Sequence, residues 1–174
     1  MIHDIVIKTN LFMLAGLVYK IKGSYEYKYL GNLYANFPRI SLVAALIFFS
    51  LTGVPPLSGF WPKVPLLQSA FSLQEIMYAV CLIAGSIITL IVIARMWSEV
   101  FWKKNENVYK EEGRFIYFKD LNWLKKADYL VPIVFLLTVS LFIGFGANYV
   151  FQLSDRIAEE LMNPEIYYIS KVLQ

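Results

Sequence analysis

The residues able to do chemistry in this chain are few, and they lie in apolar surroundings. His3, Asp4 and Lys8 fall close together at the start of a stretch that is otherwise apolar to Tyr19. Lys63 interrupts a segment from Ile40 to Gln74 that carries no other charge, and it follows the run Thr52-Gly53-Val54-Pro55-Pro56-Leu57-Ser58-Gly59. A charge near the centre of a bilayer is costly, so such residues tend to mark ion pathways or proton relays. On a helix Asp4 and Lys8 stand at i and i+4 and can pair, which lowers the cost of burying either. An imidazole titrates near neutral pH and can pass protons, and a lysine at membrane depth can cycle between charged and neutral forms. A helix broken by proline exposes dipole ends and free backbone groups, which is where transporters bind ions. A protonatable lysine beside such a break would be a proton site. Plainer readings stand beside these. His3 and Asp4 can sit in water at the chain end while Lys8 snorkels to the interface. Leu51 to Pro62 can be a simple turn with Lys63 at the surface, although that leaves the apolar run Val64 to Phe71 unburied. Thr52, Ser58 and Ser86 could help to hold water, but hydroxyls in membrane helices usually bond to backbone.

The signatures of soluble catalysis are missing. One histidine and one cysteine, Cys81, cannot build a metal cluster, a disulfide framework or a nucleophile triad. There is no glycine-rich phosphate loop, and no cofactor or metal is expected. Cys81 lies in an apolar run and reads as lipid-facing or packed. The formal charge of +3, from 16 basic and 13 acidic residues, is too mild to suggest nucleic acid. Of the 174 residues, 58% are apolar and only 17% charged, with a mean hydropathy of +0.54. A soluble domain would carry about 25% charged residues, and a disordered chain would be poor in aliphatic and aromatic ones. The composition points to the lipid bilayer.

Crossing the hydrocarbon core takes about 20 mostly apolar residues, and the uncharged stretches delimit the elements. The expected fold is an all-α membrane bundle of about four segments, near 1–19, 39–72, 76–97 and 129–150. The second is too long for one span and is broken over 52–62, where Gly53, Pro55, Pro56 and Gly59 interrupt helical hydrogen bonding. Unwound backbone at that depth needs protein or water around it. The opening stretch lacks the basic flank of a signal peptide and is interrupted by Lys8. Residues 1–154 form the membrane portion and 155–174 an amphipathic tail. In that tail Ser154 is the expected N-cap of one helix, Pro164 interrupts it, and Ile166 to Leu173 forms a second, lying on the membrane. Trp97, Phe101 and Trp102 are expected as an aromatic belt where the third segment exits. Lys103 to Lys126 reads as a solvated loop with some helix. Basic residues gather in the first connector (Lys20, Lys22, Lys28, Arg39) and in the third (Arg95, Lys103, Lys104, Lys110, Arg114, Lys119, Lys125, Lys126). Four segments put both connectors on one face. The positive-inside rule makes that face cytoplasmic and places the C-terminus outside the cell membrane.

The run Ser50-Leu51-Thr52-Gly53-Val54-Pro55-Pro56-Leu57-Ser58-Gly59-Phe60-Trp61-Pro62-Lys63 resembles the broken-helix motif of antiporter-like membrane subunits. These occur in respiratory complex I, membrane-bound hydrogenases and the multisubunit Mrp sodium/proton antiporters. His3 to Phe12 resembles the histidine- and lysine-bearing helix that precedes the break, and Ala94 to Trp102 the helix that follows it. Glu159 to Tyr167 is similar to the C-terminus of Mrp D subunits. The resemblance implies a proton-channel lysine at Lys63, with Lys8 and His3 on the same polar axis; Asp4 stands where some relatives have a second histidine. It implies protons and Na+ as the ions, other membrane subunits as partners and no redox centre in this chain. It covers only the C-terminal end of much longer subunits, without the first repeat or the start of the second. The chain is therefore expected to be a fragment of a D-type subunit, with Met1 either an internal methionine or the start of a true short subunit, and is not expected to transport ions alone. Two alternatives remain: the same module in a complex I-like or hydrogenase assembly, and a structural or assembly protein without transport activity.

Overall fold

The computed structural model describes residues 2–104 and 116–162. Seven α-helices follow one another among them: α1 (Ile2–Lys22), α2 (Leu33–Asn36), α3 (Pro38–Thr52), α4 (Lys63–Ser72), α5 (Ile76–Trp97), α6 (Trp123–Phe145) and α7 (Ala147–Met162). A π-helical turn, Ser98–Trp102, extends α5, and a short 3-10 turn, Phe118–Asp120, precedes α6. Three helices are long and apolar enough to cross a membrane: α1, α6, and α5 with its π turn. At ~1.5 Å per residue α5 is about 33 Å long, matched to a hydrocarbon core of about 30 Å. With 15 and 10 residues, α3 and α4 are each too short to cross alone. The break lies between them.

The bundle is held by a narrow seam. Ile7, Asn10, Leu14 and Leu17 of α1 recur on one face. Ile40, Ala44, Ile47 and Phe48 do so on α3, and Ile133, Leu137, Ser140 and Gly144 on α6. These stripes meet as α1 packs against α6 and α3, and α3 against α5 and α6, while α4 lies along α5. The outer faces of α5 and α6 stay apolar and exposed, as lipid-facing surfaces should be.

Three local expectations change. Phe101 is buried at 1% exposure, so it belongs to the core and not to an interfacial belt. It stacks on Trp97 at 4.5 Å between ring centroids, and Phe48 meets both rings edge-on at 6.1 and 6.0 Å. Trp102 alone of the three is widely exposed. Ser154 is not an N-cap: α7 begins at Ala147, and the Ser154 hydroxyl donates to the Val150 carbonyl inside the helix at 2.8 Å. Gly146 ends α6 and the chain re-enters a helix at once, so no cap is needed later. The last helix of the bundle also starts earlier than expected, at Trp123, where the Asn122 side chain caps it through the Trp123 N–H at 2.7 Å. Charges at Lys125, Lys126 and Asp128 hid that first turn, which extends the apolar span toward water. Pro164, the second tail helix and most of the connector between Lys104 and Ile116 lie outside the described residues.

Candidate functional site at the helix break

Helix α3 ends because Gly53 adopts a left-handed conformation, φ +84°. The N–H groups of Gly53 and Val54 both turn back to the Phe49 carbonyl at 3.1 Å. This is a glycine-terminated helix end of the usual kind. It leaves later carbonyls without helical partners. The chain then runs through successive turns over Val54 to Pro62, with a cis Pro55–Pro56 bond. Lys63 opens α4, and its ammonium donates to the Thr52 carbonyl at 2.8 Å. The negative end of α3 is a favourable place for a cation.

Depth follows from the neighbours. Thr52, Gly53 and Lys63 line a cavity of about 350 Å³ against Leu82, Ser86 and Leu90 of α5. Ser86 stands midway along α5, about 15 Å from either end. Lys63 is therefore set against the middle of a helix long enough to span the membrane. The run Val64 to Phe71, which a surface turn would leave without a place, forms most of α4.

His3 reaches the other side of the same break. Its Nδ1 lies 2.8 Å from the Ser58 Oγ. Ser58 is also 2.7 Å from Ser50 of α3 and 2.7 Å from Ser140 of α6, and those two are 3.0 Å apart. All three serines are buried. A buried hydroxyl left unpaired would cost about 1–3 kcal/mol, and the ring spares each of them that cost. Lys8 lies elsewhere. It pairs with Asp4 at 3.7 Å, as their spacing predicts, but the two side chains are 62% and 60% exposed. Their face of α1, with Ile5 and Phe12, points away from the bundle. The fold brings Lys63 and His3 to one break and leaves Lys8 on the outer surface of the described residues.

Close approach explains the glycines. A Cβ on Gly59 would lie 1.9 Å from the Ser50 carbonyl oxygen and 3.2 Å from His3 Nε2. On Gly53 it would lie 2.8 Å from the Lys63 ammonium, and on Gly144 of α6 2.8 Å from the Ser58 nitrogen. Ser140 and Gly144, spaced i and i+4, let the break sit directly on α6. Small residues at that spacing are the usual signal of close packing between membrane helices.

Residues 1–89 match the transmembrane family described as NADH:quinone oxidoreductase/Mrp antiporter. The chain belongs to this family. It is 31% identical over 172 residues, 99% of its length, to the D subunit of the Na(+)/H(+) antiporter of Alkalihalophilus pseudofirmus. It is 30% identical over its whole length to the antiporter D subunit of Bacillus subtilis. In both cases it spans about a third of the relative's length, 33%. The structure of the Mrp complex from a Dietzia species contains a similarly folded chain. The TM-score is 0.75 at 21% identity, over 93% of this chain and 36% of that one. As a member of the antiporter family with several apolar helices, the chain is a multi-pass membrane protein.

Two features of this candidate site were invisible to charge and proline counting. Ser140 and Gly144 carry no charge and sit far along the chain from the break. Their i, i+4 spacing was the available signal. Asn10 is the other: it is fully buried, donates through Nδ2 to the Ile133 carbonyl at 3.2 Å and leaves its Oδ1 without a partner among the described residues. Thr52 and Ser86 bond to their own helices, through Phe49 and Leu82, as hydroxyls in membrane helices usually do.

Proposed function

We propose that this chain forms the C-terminal part of a D-type subunit of a multisubunit monovalent cation/proton antiporter. It would move protons through the polar axis of a membrane bundle in exchange for Na+. Lys63 is the protonatable carrier, His3 exchanges protons on the far side of the break, and Lys8 extends the axis toward whatever covers the outer face of α1. The observation that carries the reading is the Lys63 ammonium on the Thr52 carbonyl, at the end of a broken helix and against the middle of α5. Support for the ion pair exchanged comes from the relatives, which are D subunits of Na(+)/H(+) antiporters. The remaining repeat and the other membrane subunits are the proposed partners. The basic connectors face the cytoplasm and the C-terminus lies outside, as the positive-inside rule requires.

The test is Lys63→Ala in the complete assembly. Membrane vesicles should lose cation-driven proton movement at least tenfold while subunit abundance and assembly stay normal. Unchanged transport would sink the reading and favour a structural role. The family description also spans NADH:quinone oxidoreductases, so the same vesicles should be assayed for quinone reduction coupled to acidification. Coupled acidification that depends on Lys63, without a response to Na+, would assign the chain to the complex I-like branch.

A further inference from the structure

Ser50, Ser58, Ser140 and His3 come from α3, the break, α6 and α1, and the hydrogens between them can be counted. Three contacts join the serine oxygens, at 2.7, 3.0 and 2.7 Å, and a fourth joins Ser58 Oγ to His3 Nδ1 at 2.8 Å. Four contacts need four hydrogens. A serine hydroxyl carries one hydrogen and two lone pairs, so the serines supply three. Ser50, Ser58 and Ser140 are 0%, 1% and 1% exposed, which keeps solvent donors away. The fourth hydrogen has one source among the described residues, the imidazole. With a bare Nδ1, one pair among these close atoms would face each other through lone pairs alone.

We infer that the Ser50–Ser58–Ser140 ring holds neutral His3 as its Nδ1–H tautomer, making Nε2 the nitrogen that takes up and releases a proton. In this arrangement Ser58 accepts from Nδ1–H and from one serine and donates to the other. Its hydrogen and both lone pairs are committed, so Ser58 is a positioning residue and not a stage of the relay. Nε2 is left beside Gly59, where a Cβ would come within 3.2 Å of it. Among the described residues the charged groups around the imidazole are Asp4 and Lys8 on α1 and Lys63 at the start of α4. The tautomer follows from the hydrogen count alone. Its use, proton exchange at Nε2 on the side of the break, rests on the transport reading above.

Nitrogen-15 NMR of the assembled complex in lipid, grown with labelled histidine, tests this directly. The His3 signals are those missing from a His3→Gln sample, recorded at a pH where the imidazole is neutral. The expected spectrum has Nδ1 at the shift of a protonated ring nitrogen and Nε2 at that of a bare one. The reverse assignment, or averaged shifts from two exchanging tautomers, overturns the inference. Ser58→Ala should abolish the Nδ1–H preference and Ser58→Thr should restore it; an unchanged spectrum in Ser58→Ala removes the ring as the cause. Transport in the same membranes is a separate readout. An Nδ1–H spectrum together with normal transport by His3→Gln would keep the tautomer and remove His3 from the pathway.

Discussion

At the break, single atoms decide what the backbone can do. Gly59 stands so close to α3 that a methyl group would overlap the Ser50 carbonyl oxygen, at 1.9 Å. Both atoms belong to backbone that other contacts already hold. Gly59→Ala is expected to destabilise the protein by about 3 kcal/mol, the upper end of ordinary overpacking, and to show as lost abundance in membranes. Gly53→Ala acts differently. The left-handed φ costs a residue with a side chain about 1–3 kcal/mol. Its Cβ would meet the flexible end of Lys63 at 2.8 Å, which can move aside, and the Gly59 carbonyl oxygen at 2.9 Å, which is backbone and gives only if the break shifts. The ammonium then leaves the Thr52 carbonyl. Gly53→Ala should therefore lower abundance and, in the complexes that do assemble, also lower transport, measured as the rate per assembled complex. If rate and abundance fall in proportion, the Lys63 contact has no functional weight.

Between elements, hydrogen bonds matter less for their number than for whether they are complete. The serine ring ties α3, the break and α6 together with every hydroxyl engaged. Asn10, at the contact of α1 with α6, is half satisfied. An interhelical hydrogen bond in a membrane protein is worth about 0.6 kcal/mol on average, whereas a buried unpaired acceptor costs about 1–3 kcal/mol. Asn10→Leu keeps the branching and heavy-atom count of the side chain and removes both terms, so a gain of up to about 1 kcal/mol is expected, less whatever its bulkier methyl groups cost in packing. A rise in the melting temperature of the purified assembly would show it. A fall would mean that the Asn10 oxygen has a partner in the membrane and that the site is polar for a reason. The break is also an element-scale device. Two short helices end head to tail at membrane depth, and the carbonyl end of one receives the cation carried on the first residue of the other.

For the whole molecule the surface is as informative as the core. α5 is buried along little of its length and presents Ile87, Ile88 and Ile91 outward, a surface suited to lipid. The outer face of α1 is different, because it sets the Asp4–Lys8 pair among Ile5 and Phe12. A charged pair is expensive in hydrocarbon, and this supports the proposal that another part of the assembly covers that face. The proposed topology has its own check. Cysteines introduced at Lys28 and at Lys119 should both react with an impermeant thiol reagent from the cytoplasmic side, and one at Gln74 only from the opposite side. Labelling of the first two from opposite sides would remove a span from the topology and reverse the sidedness of everything after it.

The class of fold and the place where the chain breaks were legible in the amino-acid sequence. Apolar length, charge placement and proline chemistry act locally, so the start of α5 at Ile76, the end of α3 at Thr52 and the restart at Lys63 were all legible one segment at a time. The i, i+4 pairing of Asp4 with Lys8 was legible for the same reason. Ser154 was misread because a capping residue is recognised by its own type, while the helix around it starts from a turn seven residues earlier. Which polar groups meet depends on how the helices pack in three dimensions. His3, Ser50, Ser58 and Ser140 lie on separate elements, and serine is common in membrane helices, so nothing local marks the one that faces a partner. Phe101 shows the same limit, since an aromatic residue near a helix end suits a membrane interface or a core equally well. Its placement was settled by Phe48 and Trp97, the rings it packs against.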